Sequence, residues 1–192
     1  MMRITLIHKK LHSDVGKEEK EKHKKGKHVL VEDLLGLLKV KVVRGVNLAV
    51  KDAHGCDPYV IVQAGFKFTV KTLDVRAALS ERYVGVPVGI VEVFDKHSFH
   101  KDNSMGHAEF HICPLVQAVK LDLSNKPSGT VIDNIIPSRQ NCLAEMSNIY
   151  WSEGKVRQEI ALRLKDVIRG EIELKLTWIM IPGAKGLERI SK

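Results

Sequence analysis

No stretch of the 192-residue chain reaches the roughly eighteen apolar residues that a membrane-crossing helix requires. Ile4-Thr5-Leu6-Ile7 is also too short for the core of a secretion signal, so a cytosolic protein is expected. Cysteine is scarce. Cys56, Cys113 and Cys142 are odd in number and form no close-spaced pair, which disfavours a disulfide framework and leaves no Cys-x-x-Cys zinc finger. Aromatics make up only 5% of the residues and do not interleave with basic ones, so the stacking platform of a single-strand binder is missing and no nucleic acid is expected as a partner. There is no Gly-x-x-x-x-Gly-Lys-Ser/Thr phosphate loop. No nucleophile stands in an elbow or triad-like setting, and Ser104 and Cys56 read as loop residues. An enzyme is therefore not expected.

What the chain does have is positive charge. A net charge of +8 favours anionic partners, with a phosphatidylserine-rich membrane preferred once nucleic acid is set aside. Residues 17–28 carry six lysines against three glutamates, too polar to bury and too mixed in sign to fold alone. Residues 1–31 are accordingly expected to be a disordered basic arm, serving as a leaflet attractant, a nuclear address or a plain solvated tail.

From Leu37 the pattern alternates. Leu38, Val40 and Val42 fall on one face and Lys39, Lys41 and Val43 on the other, as a half-buried strand demands. Residues 59–63 and 66–71 suggest a hairpin across Ala64-Gly65, and residues 89–94 and 106–112 two further strands. Residues 159–164 and 171–178 should pair antiparallel around Arg169-Gly170. Residues 114–121 have helical spacing. So do residues 74–83, where Val75, Ala78, Leu79 and Arg82 recur on neighbouring turns. A mainly antiparallel all-β chain is expected, and Lys39, Lys41, Lys67 and Lys71 are its candidate lipid-binding side chains.

Two turns carry the chemistry: Lys51-Asp52-Ala53-His54-Gly55-Cys56-Asp57-Pro58-Tyr59, and Phe94-Asp95-Lys96-His97-Ser98-Phe99-His100-Lys101-Asp102-Asn103. Carboxylates and loop carbonyls from two such turns suit calcium, which takes about six to eight oxygens at flexible angles. A rival lies in His97, His100, His107 and His111, since imidazole suits transition metals, but the loop separates the pairs and no cysteine stands beside them.

An Asp five residues ahead of Asp57-Pro58-Tyr59, followed by Phe94-Asp95 and Phe99-His100-Lys101-Asp102, resembles a C2 domain. Asp33-Leu34-Leu35-Gly36-Leu37-Leu38, Arg44-Gly45-Val46-Asn47-Leu48, residues 137–145, and Thr177-Trp178-Ile179 with Pro182-Gly183 narrow this to a resemblance to the small plant C2-domain abscisic-acid-related (CAR) family. The similarity covers residues 32–72 and 91–187. It implies an antiparallel C2-type sandwich of about eight strands over 32–187, with a family-specific insertion at about 113–153 and a tail at 188–192. The family's Asn-Pro-x-Trp-Asn-Glu turn and following strand are absent, so residues 73–90 are expected to be irregular or one strand short.

The resemblance also implies a cation site. The family's five aspartate positions fall on Asp52, Asp57, Asp95, His97 and Asn103, with backbone carbonyls at Lys51 and Lys96 and with Asp102 adjacent. Two of the five charges are lost, so a weakened calcium site is expected. The implied function is recruitment of abscisic acid receptors of the PYR/PYL type to the plasma membrane, with the protein also in cytoplasm and nucleus. The insertion is expected to serve partner choice, with Arg139, Arg157 and Arg163 as candidate contacts. Alternatives are activation of a GTPase in trans, with no residue assigned to it, and calcium-independent protein binding.

Overall fold

Alternation with a period of two residues decides which side chains enter the core. In the computed structural model the described residues are 30–49, 56–64, 69–70, 74–80, 88–97 and 101–189, so all but the last two residues of the expected basic arm lie outside them. A single 3-10 turn (Val31–Asp33) leads into β1 (Leu34–Val46). There follow β2 (Pro58–Ala64), β3 (Thr69–Val70), β4 (Asp74–Ser80), β5 (Val88–Asp95) and β6 (Asn103–His111). Helix α1 (Cys113–Val119) precedes β7 (Thr130–Ile135), β8 (Ser147–Ser152), β9 (Lys155–Arg163), β10 (Glu171–Ile179) and a last turn, α2 (Gly186–Arg189).

Two sheets result, one ordered β4-β1-β10-β9-β8-β7 and the other β3-β2-β5-β6. Leu38, Val40 and Val42 from β1 and Ile172, Leu174, Leu176 and Trp178 from β10 are buried in one core cluster with Val60, Val62, Val91 and Val93 of the opposite sheet. Each is the inward member of an alternating strand, as the pleat requires. The β9–β10 hairpin pairs Glu171 with Arg163 through Thr177 with Arg157, as expected.

The helix suggested over residues 74–83 does not form. Asp74–Ser80 is a strand, antiparallel to β1 from Ser80 opposite Leu34 to Asp74 opposite Lys41. The outer edge of β1 offers a long row of unpaired backbone groups, and satisfying them outweighs the weak helical preference of an Ala-rich segment. The segment after β3 thus supplies the sheet's edge strand. Residues 113–153, expected as an insertion with one helix, add β7 and β8 to the same sheet and place Ile149 fully in the core.

Close aromatic packing fixes two glycines. A Cβ on Gly89 would lie 2.1 Å from the Phe110 ring, and one on Gly36 would lie 2.4 Å from the Trp178 indole. Both rings pack against a bare backbone. Gly89→Ala should destabilise the fold by about 1 to 2 kcal/mol, because a buried ring must give way inside a packed core. Urea denaturation of the two proteins side by side checks this.

Candidate functional site

The inward alternation of β5 runs Gly89, Val91, Val93, Asp95, so the strand places a carboxylate where the next core residue would stand. Asp95 is only 2% exposed. Its Oδ1 accepts the Asp57 N–H at 2.8 Å, and the Lys96 N–H donates to the Asp57 carbonyl at 3.2 Å. In the ladder Asp95 stands between Pro58 on β2 and Asn103 on β6. Three strand ends therefore bring Asp57, Asp95, Lys96, His97 and Asn103 to one rim of the sandwich. Lys51 and Asp52 lie outside the described residues.

Asp95 Oδ2 is the informative atom. It is buried and has no hydrogen-bond partner. Burying an unpaired carboxylate oxygen is costly unless a positive group faces it. A hard cation fits that oxygen, and Asp57 stands beside it as an exposed second carboxylate. The other expected positions fit less well. The Asn103 amide nitrogen lies 3.0 Å from His97 Nε2, so the two side chains bond each other. Asp102 is held elsewhere, its Oδ2 accepting the Tyr59 hydroxyl at 2.6 Å and its Oδ1 the His97 N–H at 3.2 Å. Among the described residues no group of three or more His, Cys, Asp or Glu side chains is arranged to hold a metal ion.

The histidine cluster is dispersed. His107 Nδ1 faces Asp166 Oδ2 at 3.2 Å and His111 is exposed, while His97 points to Asn103 and His100 lies outside the described residues.

Tyr59 is the anchor that the sequence did not reveal. It is 4% exposed, stacks on Phe94 with ring centroids 5.5 Å apart, and ties β2 to the rim loop through Asp102. Its phenol pKa is pushed up to about 12, first by burial, then by the Asp102 hydrogen bond and charge, then by Glu92. A second feature missed is the turn between β9 and β10. Lys165 pairs with His107, Gly106 packs against the Lys165 carbonyl and Val167, and Gly170 packs against Leu48. That turn therefore lies at the same end as the β5–β6 loop, and its tip, Ile168, is 92% exposed. An apolar Val167-Ile168 pair inside an otherwise polar turn was the available signal.

Lys39 and Lys41 stand on the outer face of the six-stranded sheet, opposite Thr177 and Lys175 of β10. Lys67 and Lys71 lie outside the described residues. The face is less basic than its sequence suggests. Arg44 holds Glu173 through two hydrogen bonds of 2.8 and 2.7 Å, and Lys175 holds Glu159 at 2.6 Å. Lys175, together with the Tyr150 hydroxyl, keeps the Glu159 carboxyl below its ordinary range. Of the three candidate arginines, Arg157 pairs with Glu153, Arg163 donates to the Ala144 carbonyl at 3.0 Å, and Arg139 is exposed.

An antiparallel sandwich with carboxylates at one rim is the architecture of a C2 domain, a non-catalytic module of the membrane- and lipid-binding class. A family model described as C2 domain matches residues 36–79 and 90–127. Protein C2-DOMAIN ABA-RELATED 4 of Arabidopsis thaliana is 44% identical over 167 residues, covering 82% of this chain and 94% of that protein. GTPase activating protein 1 of Oryza sativa subsp. japonica is 50% identical over 164 residues, covering 80% of this chain and 98% of that protein. The chain belongs to the C2-domain ABA-related family. A solved C2 domain from plant Extended Synaptotagmin 1 aligns with 77% of this chain and 97% of its own, at 19% identity and a TM-score of 0.40. Among the described residues no helix is long and apolar enough to cross a membrane.

Proposed function

We propose that the rim docks peripherally on anionic phospholipid, weakly assisted by calcium, and that another surface carries a signalling partner in abscisic acid responses. The carrying observation is the unpartnered, buried Asp95 Oδ2 beside Asp57. Asp52, Asp57 and Asp95, with the Lys51 and Lys96 carbonyls, would hold the ion. When bound, calcium supplies positive charge that accepts lipid phosphate oxygens. Asp102 stays with Tyr59 and keeps the loop in place. The net charge of +8, with Lys39, Lys41, Lys67 and Lys71, adds attraction that needs no ion.

Ile168 provides the apolar contact. Its side chain is solvated in the free protein, and its neighbours Lys165 and Arg169 suit a headgroup layer. Burying an aliphatic side chain of this size contributes roughly 1.5 to 3 kcal/mol in full, and part of that in an interface. Ile168→Asp should therefore lower partition onto phosphatidylserine vesicles about five- to tenfold. Co-sedimentation with phosphatidylserine and with phosphatidylcholine vesicles, with and without calcium, tests the reading. Equal binding to both vesicle types, or none to either, would refute it.

The partner is proposed to be an abscisic acid receptor of the PYR/PYL type, brought to the plasma membrane, with a further population in cytoplasm and nucleus. A second reading, that the module has lost calcium and binds proteins only, is favoured by the bond between His97 and Asn103. Action on a GTPase in trans draws support from the printed name of the rice relative.

A further inference from the structure

At the far end of the sandwich lies a cavity that the rim chemistry does not use. Strand β6 runs from Asn103 at the rim to His111, a span of roughly 26 Å. Beyond it, α1 bridges toward β9 and leaves a pocket of about 280 Å³ between the sheets. Phe110, Pro114, Ile135, Leu143 and Leu162 give it apolar walls. Asn141 frames one side, its Oδ1 accepting the Ser138 and Leu143 N–H groups while its amide donates to the Ile136 carbonyl.

One of the lining residues carries a buried polar atom without a partner. Gln158 is 1% exposed, an inward member of β9, and it lines the pocket. Its Nε2 donates to Ser147 Oγ at 2.9 Å, and that hydroxyl donates in turn to the Glu159 carbonyl at 2.8 Å. The hydroxyl proton is thereby used, so Ser147 can only accept from Gln158. The amide's orientation is fixed and Gln158 Oε1 is left as a buried, unpaired acceptor. A water molecule there would need two or more polar partners, and the apolar walls offer few.

We infer that this pocket binds a small, uncharged, largely apolar molecule carrying one hydroxyl or N–H, which donates to Gln158 Oε1. Size supports a molecule of about two fused rings, since an apolar cavity of about 150 Å³ already takes up benzene. Charge narrows the class further. The apolar walls disfavour an anionic head such as a fatty acid's, which would be desolvated there without a cationic partner. A site with a buried acceptor discriminates strongly against the analogue that lacks the donor, because the acceptor is then left unpaired.

The probes are 2-naphthol and its donor-free counterpart 2-methylnaphthalene, titrated into the full chain with amide resonances followed by NMR. Binding of 2-naphthol should shift Phe110, Leu143, Gln158 and Leu162, with 2-methylnaphthalene at least fivefold weaker. Gln158→Met should remove that preference, and Ile135→Trp, at the half-buried end of β7, should weaken both probes at least tenfold. If the buried Gln158 variant fails to fold, the Ile135 variant and the map of shifted amides decide. Shifts elsewhere, equal affinity for the two probes, or unchanged binding by Ile135→Trp would each overturn the proposal. Phosphatidylserine sedimentation by Ile135→Trp should match the unmodified chain, which keeps this result separate from any failure of the rim.

Discussion

Replacing His97 and Asn103 together by aspartate is expected to raise calcium affinity by about ten- to hundredfold, because affinity in oxygen sites follows the number of carboxylates. In the native chain these side chains bond each other and bring no negative charge to the rim. One carboxylate about 5 Å from a divalent ion gains roughly 7 kcal/mol of gross Coulomb energy at an effective dielectric near 20. Most of that is offset by desolvation and by repulsion among the carboxylates, hence the smaller net expectation. The repulsion has its own signature. Asn103 stands opposite Asp95 in the ladder, and like charges directly across a strand pair destabilise it. The double variant should therefore be less stable than the parent without calcium and should recover when calcium is added. Calorimetric titration of calcium and thermal melts at two calcium concentrations measure both effects. An affinity unchanged by the double substitution would place the ion elsewhere or remove it from the protein's function.

Where the pleat alone determines burial, the sequence was sufficient. Glu171–Ile179 alternates without a break, and its partner β9 lies directly before it across a short turn, so both face and register could be read. At the rim the expectation rested on two acidic turns rather than on the pleat, yet Asp95 also continues the inward series of Val91 and Val93. Asp74–Ser80 was not. Its Val-Arg-Ala-Ala-Leu run carries no period-two signal, and its strand conformation comes from the waiting edge of β1, a partner more than thirty residues away. The β8–β9 hairpin was available but unread. Ser152 pairs with Lys155 across Glu153-Gly154, both at positive φ (51° and 71°), the backbone of a type I′ turn. Gly154 was the marker, and the β-forming Ile149-Tyr150-Trp151 before it completed the signal.

Side-chain pairings that depend on distant strands were beyond reach. Gln158 differs from an exposed strand glutamine only in standing on the inward phase of β9, and Ser147 joins it from β8, the strand that went unread. Asp102 looked like a spare cation ligand beside Asn103. Its capture by Tyr59 joins residues 43 positions apart and follows from β2 lying next to β5, with β6 beyond.

The Tyr59–Asp102 lock gives the second large effect, and its sign follows from the direction of the shift. With the folded phenol's pKa pushed up to about 12, the fold holds Tyr59 neutral in a range where the unfolded chain, near 10, has already ionised. Between those values the native state binds more protons, so stability must fall as pH rises. The contribution is fully present below pH 10 and is lost on approach to 12, a drop of about 2 to 3 kcal/mol. Tyr59→Phe should abolish most of this alkaline slope. At neutral pH it should cost about 1.5 to 3 kcal/mol, the range for a hydrogen bond to a charged group, because it leaves Asp102 Oδ2 without the phenol that holds it. Guanidinium melts from pH 8 to 11.5, with phenolate absorbance followed in parallel, measure both quantities. A parent and a Tyr59→Phe variant with parallel pH profiles would show that the phenol is not held by Asp102. The rim loop would then owe its position to the Tyr59–Phe94 stack and to the bond from the His97 N–H to Asp102.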